Sequence, residues 1–276
     1  MLYHQGIILG IIQGLTEFLP VSSSGHLVLG QIFFGITKPQ LTFDISVHMG
    51  TLLAVLVVYS SDILAMLSSI SVFFLRAVSF KPALHLFRED KNLEMAGLIL
   101  IGSVPTGLIG LYLKQFEDVL FASTSLVGSM LILTGIILWL SRKFYVKTSQ
   151  KNAGVNIYKA LFIGMIQGIA VIPGISRSGS TIAGGMFLGI DRTRAAKFSF
   201  LLSIPAICGA EILSIKDIVK SGFAIEPVTI YATIASFITG LIALKILLRL
   251  VHSGRFHLFA PYCWLIGSLV LLSNII

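Results

Sequence analysis

The chain has 276 residues, 55% of them hydrophobic and only 12% charged, with a mean hydropathy of +0.94. A soluble domain normally carries about 25% charged residues, so this chain lacks the polar surface that a water-soluble fold needs, and its net charge of +8 is read as topogenic rather than as a nucleic-acid footprint. Its apolar runs are continuous, several near the roughly 18 residues that cross a bilayer, which excludes the alternating strands of a β-barrel.

The predicted elements fall into two halves of an all-α integral membrane protein. Residues 6–35 read as two short helices separated by a break from Pro20 to Gly25. Neither reaches about 20 residues, so a re-entrant helix-loop-helix is expected, of the kind tolerated at membrane depth only where protein or a water-filled cavity covers the irregular backbone. Spans are expected over about 47–70, 94–113 and 123–141, completing a first repeat, 1–141. A polar cytoplasmic linker, 142–157, leads to a second repeat, 158–276, with a re-entrant element at 158–190 and spans over about 196–215, 227–250 and 257–275. The expectation is therefore about six transmembrane helices plus two re-entrant elements. Cys208 and Cys263 both lie in apolar runs and read as buried thiols. No secretory leader is expected, since the first basic residue is Lys38 and Glu17 interrupts the first apolar stretch.

A shift of 154 positions superimposes the two broken elements: Gln13 on Gln167, Gly14 on Gly168, Ser22 on Ser176, Ser24 on Ser178 and Gly25 on Gly179. Loop lysines and arginines orient the chain. Placing 71–92, 142–157, 191–197 and 249–256 inside puts thirteen basic residues there, against four (Lys38, Lys114, Lys216 and Lys220) outside. Three spans per half is an odd number, so the second half enters from the opposite side. The result is an inverted-topology repeat whose broken helices meet at a shared site, with both termini outside.

Chemistry concentrates in the two breaks. Gln13 and Glu17, four apart, share a helix face, and an acid inside an apolar segment is a functional candidate by default. Ser22, Ser23 and Ser24 stand where a second helix would begin, a position suited to capping and to anion binding by free N–H groups. His26, one turn on, has the chemistry of a nucleophile, proton carrier or metal ligand. In the second copy Arg177 replaces Ser23, flanked by Ser176, Ser178 and Thr181; its planar fork of donors fits phosphate or carboxylate oxygens. One copy supplies acid, serine and histidine and the other an anion clamp, the combination phosphoryl transfer requires. Asp44 and His48, one turn apart, either extend this site or meet water at the membrane edge. Arg192 and Arg194 read as topogenic charges, and Glu211 is a further acid in an apolar run.

The stretches G-L-T-E-F-L-P-V-S-S-S-G-H and P-G-I-S-R-S-G-S-T, together with F-S-F-L-L-S-I-P at 198–205, closely resemble the signature motifs of the BacA-type undecaprenyl-diphosphate phosphatases. The resemblance spans essentially the whole chain. It implies a membrane hydrolase that converts a polyprenyl diphosphate to the monophosphate and inorganic phosphate at the outer face of the bacterial cytoplasmic membrane, recycling the cell-wall carrier lipid and conferring bacitracin resistance. It implies Glu17, Ser23, His26 and Arg177 as catalytic residues, and a divalent cation, Mg2+ or Ca2+, as cofactor, with Glu17 a candidate ligand. Here the first motif position is Gln13 rather than an acid, so a paired-carboxylate metal site at 13 and 17 is weakened. Gln13, Ser22, Ser24, Ser176, Ser178 and Thr181 are the expected phosphate-binding residues. Ser23 or His26 as nucleophile, or water with His26 as base, all stay open, as does a homo-oligomer. Membrane lipids are expected partners and nucleic acid is not. The rival reading is a transporter or lipid flippase, since broken helices in inverted repeats are a common transporter design.

Overall fold

Pro20 ends the first helix for a local reason: it forces the preceding Leu19 into extended backbone, at φ −61° and ψ 140°. The computed structural model describes residues 1–36, 40–78, 89–144, 154–221 and 226–273. Among these the elements are α-helical, with no β-strand: α1 (Tyr3–Phe18), α2 (Ser23–Phe33), α3 (Leu41–Val58), α4 (Ser60–Val78), α5 (Lys91–Lys114), α6 (Glu117–Ala122), α7 (Thr124–Ser141), α8 (Ile157–Ile169), α9 (Arg177–Phe187), α10 (Arg192–Ser221), α11 (Pro227–His252), a 3₁₀ turn (Phe256–Phe259) and α12 (Ala260–Ser273). Six of these segments are long and apolar enough to cross a membrane: α3, α5, α7, α10 over 192–214, α11, and α12 with its 3₁₀ turn. The protein is thus all-α and integral to the membrane. Lys38, Lys81, Arg88, Lys147 and Lys151, part of the charge count above, lie outside the described residues.

A single span was expected over about 47–70; instead the chain forms α3 and α4, divided at Tyr59. Helix α3 begins six residues earlier than that expectation because its polar first turn is satisfied internally, Gln31 Nε2 donating to Asp44 Oδ1 at 2.8 Å. Helix α4 opens with Ser60-Ser61-Asp62, and Lys197 Nζ from α10 donates to Asp62 Oδ1 at 2.5 Å.

Each broken element is a helical hairpin. Gly30 of α2 lies against Leu9 and Ile12 of α1, and Gly184 of α9 lies against Ile166 of α8. The hairpins pack crosswise. In α1, Gly6, Gly10 and Gly14 face Val228, Ala232 and Ser236 of α11, each pair four residues after the last, so the two helices run parallel. In α8, Gly164 and Gly168 face Gly102 and Ile109 of α5, again in parallel. Small residues at four-residue spacing let backbones approach closely where lipid gives no hydrophobic drive for helix association. Positions 10 and 164 correspond under the 154-residue shift, so the copies use one packing scheme on exchanged partners.

Outward faces carry apolar rows at helical spacing: Leu100, Val104, Leu108 and Leu111 on α5, and Ile230, Ile234, Ile238, Ile242 and Ile246 on α11, all exposed. Such rows are stable against acyl chains and not against water. The interior is filled by Phe18, Phe198, Phe200, Leu201 and Leu202, each buried. Phe18 meets Phe200 edge-on at 5.8 Å, anchoring the end of α1 beside Glu17.

Candidate functional site

The two breaks meet in the interior, joined across the copies by hydrogen bonds between serine hydroxyls and backbone groups. Ser22 Oγ caps α2 by accepting from Gly25 N at 3.3 Å and also accepts from Gly174 N at 3.1 Å. Ser176 Oγ caps α9 by accepting from Gly179 N at 3.0 Å, and Ser178 Oγ donates to the Phe18 carbonyl at 3.0 Å. Ser22 has φ +67° and is the one non-glycine residue with positive φ among those described. Backbone strain of this kind is held in place only where its surroundings over-determine it, and here two N–H groups fix the side chain that the strained backbone aims.

Glu17 is the centre of the constellation. Its Oε1 accepts from Arg177 Nη2 at 2.5 Å, while Oε2 accepts from Ser23 Oγ at 2.6 Å and from Gln13 Nε2 at 2.9 Å. The carboxylate is 6% exposed and Arg177 16%, so the ion pair is largely shielded from water and correspondingly strong. Arg177 Nη1 has no protein partner and is buried. A charged donor in that state is expensive unless an anion completes it.

A cavity of about 510 Å³ opens at this constellation, lined by Glu17, Ser23, Ser24, Arg177 and His48 and continuing between apolar residues of α5, α6 and α10. The pairing of acid and serine in one copy with arginine in the other, foreseen from the sequence, is present over 160 residues of chain. Other expected residues are placed differently. Ser22, Ser176, Ser178 and Thr181 are buried and are not among the described residues that line the cavity. Their hydroxyls serve backbone instead, Thr181 Oγ1 donating to the Arg177 carbonyl at 2.7 Å. They therefore hold the helix start that presents Arg177. Gln13, fully buried, orients Glu17.

His26 also stands apart from the cavity lining. Its Nδ1 donates to the Ser22 carbonyl at 2.8 Å and its Nε2 is 2.8 Å from the Tyr262 hydroxyl, with the two rings stacked at 5.7 Å. The histidine at Glu17 is His48, whose Nε2 lies 3.9 Å from Glu17 Oε2. Its sequence neighbour Asp44 turns to Gln31 and does not join it at Glu17. Gln167, matched to Gln13 by the repeat, lines the cavity but donates to the Leu202 carbonyl at 3.2 Å.

The donor set does not fit a resident divalent cation. Among the described residues no three His, Cys, Asp or Glu side chains converge, position 13 is a neutral amide, and both oxygens of Glu17 already accept hydrogen bonds. Calcium takes six to eight oxygen ligands and magnesium six, far more than these residues supply.

A family described as "Bacitracin resistance protein BacA" matches residues 6–269. The chain belongs to the BacA family. Three curated relatives, each named undecaprenyl-diphosphatase, match almost end to end. The protein of Desulforapulum autotrophicum is 51% identical over 273 residues, 99% of both chains. That of Desulfosudis oleivorans is 52% identical over 272 residues, 97% of both. That of Desulfatibacillum aliphaticivorans is 49% identical over 274 residues, 98% of both.

Proposed function

We propose that the protein is an undecaprenyl-diphosphatase: it hydrolyses the lipid diphosphate to the monophosphate and inorganic phosphate, recycles the cell-wall carrier lipid and thereby confers resistance to bacitracin. The observation that carries this reading is the buried Glu17–Ser23–Arg177 constellation, with Arg177 Nη1 unspent, at a cavity whose walls are largely apolar beyond it, with Lys114, Glu117 and Gln167 among them. An anionic headgroup completes the arginine, and an isoprenoid chain suits the apolar walls.

Arg177 and the N–H groups at the start of α9 hold the terminal phosphate and stabilise the charge that develops on its oxygens. Ser23, aligned by Glu17, attacks the terminal phosphorus, and water then releases phosphate. A divalent cation enters this reading only as a companion of the diphosphate, whose oxygens supply hard ligands alongside water.

The inverted topology belongs to the same proposal. Six consecutive spans alternate in direction, so α5 and α11, second and fifth, run oppositely. Because α1 is parallel to α11 and α8 to α5, the two hairpins enter from opposite faces. Each is too short to cross alone, as re-entrant elements are, and the bias of loop lysines and arginines supports a reading with both termini at the outer face of the cytoplasmic membrane; an outward-opening site is part of the same proposal.

The test is phosphate release from undecaprenyl diphosphate by the purified protein in detergent, beside Ser23→Ala and Arg177→Ala. Release by the wild type that collapses in both variants supports the reading. A folded wild type that binds the lipid and releases no phosphate overturns it in favour of transport.

A further inference from the structure

His48 was not required by the phosphatase reading, yet it is the imidazole that reaches the carboxylate at its centre. Its Nδ1 lies 2.8 Å from the Asp44 carbonyl, one turn back on α3. A carbonyl only accepts, so Nδ1 carries the hydrogen, and in the neutral ring Nε2 holds the free lone pair. That atom is 3.9 Å from Glu17 Oε2, the same oxygen that accepts from Ser23 at 2.6 Å. His48 lines the cavity, and 27% of its side chain is exposed. His26 offers no such lone pair, because its Nε2 is engaged by Tyr262.

Glu17 by itself is a poor final home for a proton, since Oε1 is ion-paired with Arg177 and protonation would spoil the clamp on the phosphate. An imidazole behind the carboxylate removes that conflict. The Glu17 carboxylate, 3.9 Å from His48 Nε2, is the counter-charge for a transient imidazolium.

We propose that His48, acting through Glu17, holds the proton that leaves Ser23 when the phosphoryl group is transferred. The inference rests on the phosphatase reading above. In the first step the Ser23 Oγ–P bond forms, the bridging P–O bond breaks, and its electron pair leaves with the lipid monophosphate. The serine proton passes to Glu17 Oε2 and on to His48 Nε2, then departs with the monophosphate. In the second step a water oxygen bonds to the phosphoseryl phosphorus and the P–Oγ bond breaks. One water hydrogen stays on the phosphate and the other restores the serine hydroxyl. His48 is thus a positioning and proton-holding residue and does not contact the phosphorus.

The test is steady-state hydrolysis of undecaprenyl diphosphate in detergent by wild type, His48→Gln and His48→Ala, with stabilisation by pyrophosphate as the check that each variant is folded. Glutamine keeps a donor for the Asp44 carbonyl and lacks a base. The expected result is a fall in kcat of about a hundredfold in both variants, the scale of a lost acid–base group. KM should stay within about twofold, and added imidazole should restore part of kcat to His48→Ala, whose vacated space opens on the cavity. A kcat within about twofold of wild type in His48→Gln overturns the proposal. So does a raised KM at unchanged kcat, which would make His48 a binding group, and so does a loss in His48→Ala that imidazole leaves untouched. A wild type that releases no phosphate instead overturns the function itself, so the two failures are told apart by the first lane.

Discussion

Residues 13–26 and 167–180 are two versions of one device. In both, a glutamine precedes the capping serine by nine residues, that serine caps the second helix through the N–H three residues on, and it lies close to a second serine hydroxyl, at 3.4 Å in one copy and 3.3 Å in the other. Nine of the fourteen aligned positions differ, and two of those differences set the chemistry. The first residue of α2 is Ser23 and that of α9 is Arg177; position 17 is Glu and its counterpart, 171, is Val. Backbone strain is likewise unequal, with Ser22 at φ +67° and Ser176 at φ −75°. The helix starts that can receive an anion are common to both copies, while two of the nine differences, Glu17 against Val171 and Ser23 against Arg177, make one half the acid and the other the clamp.

The largest effect expected from breaking this complementarity is at Arg177. Arg177→Ala strands the buried Glu17 carboxylate and removes the phosphate donor; phosphate release should fall about a thousandfold, the upper scale for loss of one preorganised donor. Arg177→Lys should recover little, because lysine keeps the charge and loses the fork. Kinetics on the two variants decides this.

Next comes the shared packing scheme. A Cβ at Gly10 would strike the Ala232 carbonyl, and one at Gly164 the Gly102 carbonyl. Neither backbone can yield, so Gly10→Ala and Gly164→Ala should each destabilise by about 2 kcal/mol, the range for overpacking. Thermal unfolding in detergent measures both, with Gly107→Ala as a contrast: nothing lies within 4 Å of a Cβ there, and alanine should stabilise that helix by roughly 0.5–1 kcal/mol.

The caps should differ by less. Ser176→Ala loses one cap, about 1 kcal/mol, whereas Ser22→Ala also leaves Gly174 N–H without its acceptor, adding about 1 kcal/mol more. Equal losses in the unfolding assay would show that the bond between copies contributes nothing. Smallest of all is the half-exposed Lys197–Asp62 pair, with 40% and 34% of its side chains exposed. Lys197→Ala should change stability by less than about 1 kcal/mol.

Much of the architecture was legible because membrane insertion writes itself into composition: long apolar runs, a proline and three serines interrupting one of them, and a second interruption at the same spacing. The meeting of Glu17 with Arg177 was also readable, because the repeat brings two matched breaks together, one entered from a helix end that carries the acid and the other left through a helix start that carries the arginine. The division at Tyr59 was not. Hydropathy is continuous through Val57-Val58-Tyr59, and the polar first turns of α3 and α4 are balanced from other helices, by Gln31 of α2 and by Lys197, 135 residues along the chain from Asp62. Asp44 and His48 were read together as either extending the site or meeting water; only His48 reaches Glu17, and nothing local separates a histidine bound for a carboxylate on another helix from its neighbour. Gly6, Gly10 and Gly14 were a signal in plain view: glycine at every fourth position marks a helix that touches another backbone.

Crosswise pairing has a consequence for biogenesis. Helix α1 is among the first segments to emerge from the ribosome, and α11, against which its glycines close, emerges more than 200 residues later. Through most of synthesis the first hairpin therefore waits at the bilayer with its tightest surface uncovered. A chain stopped after residue 141 would hold the acid and the serine with neither their clamp nor their scaffold. Assembly of the site is thus a late event, reached only when the second half is inserted, and an incomplete chain is chemically silent.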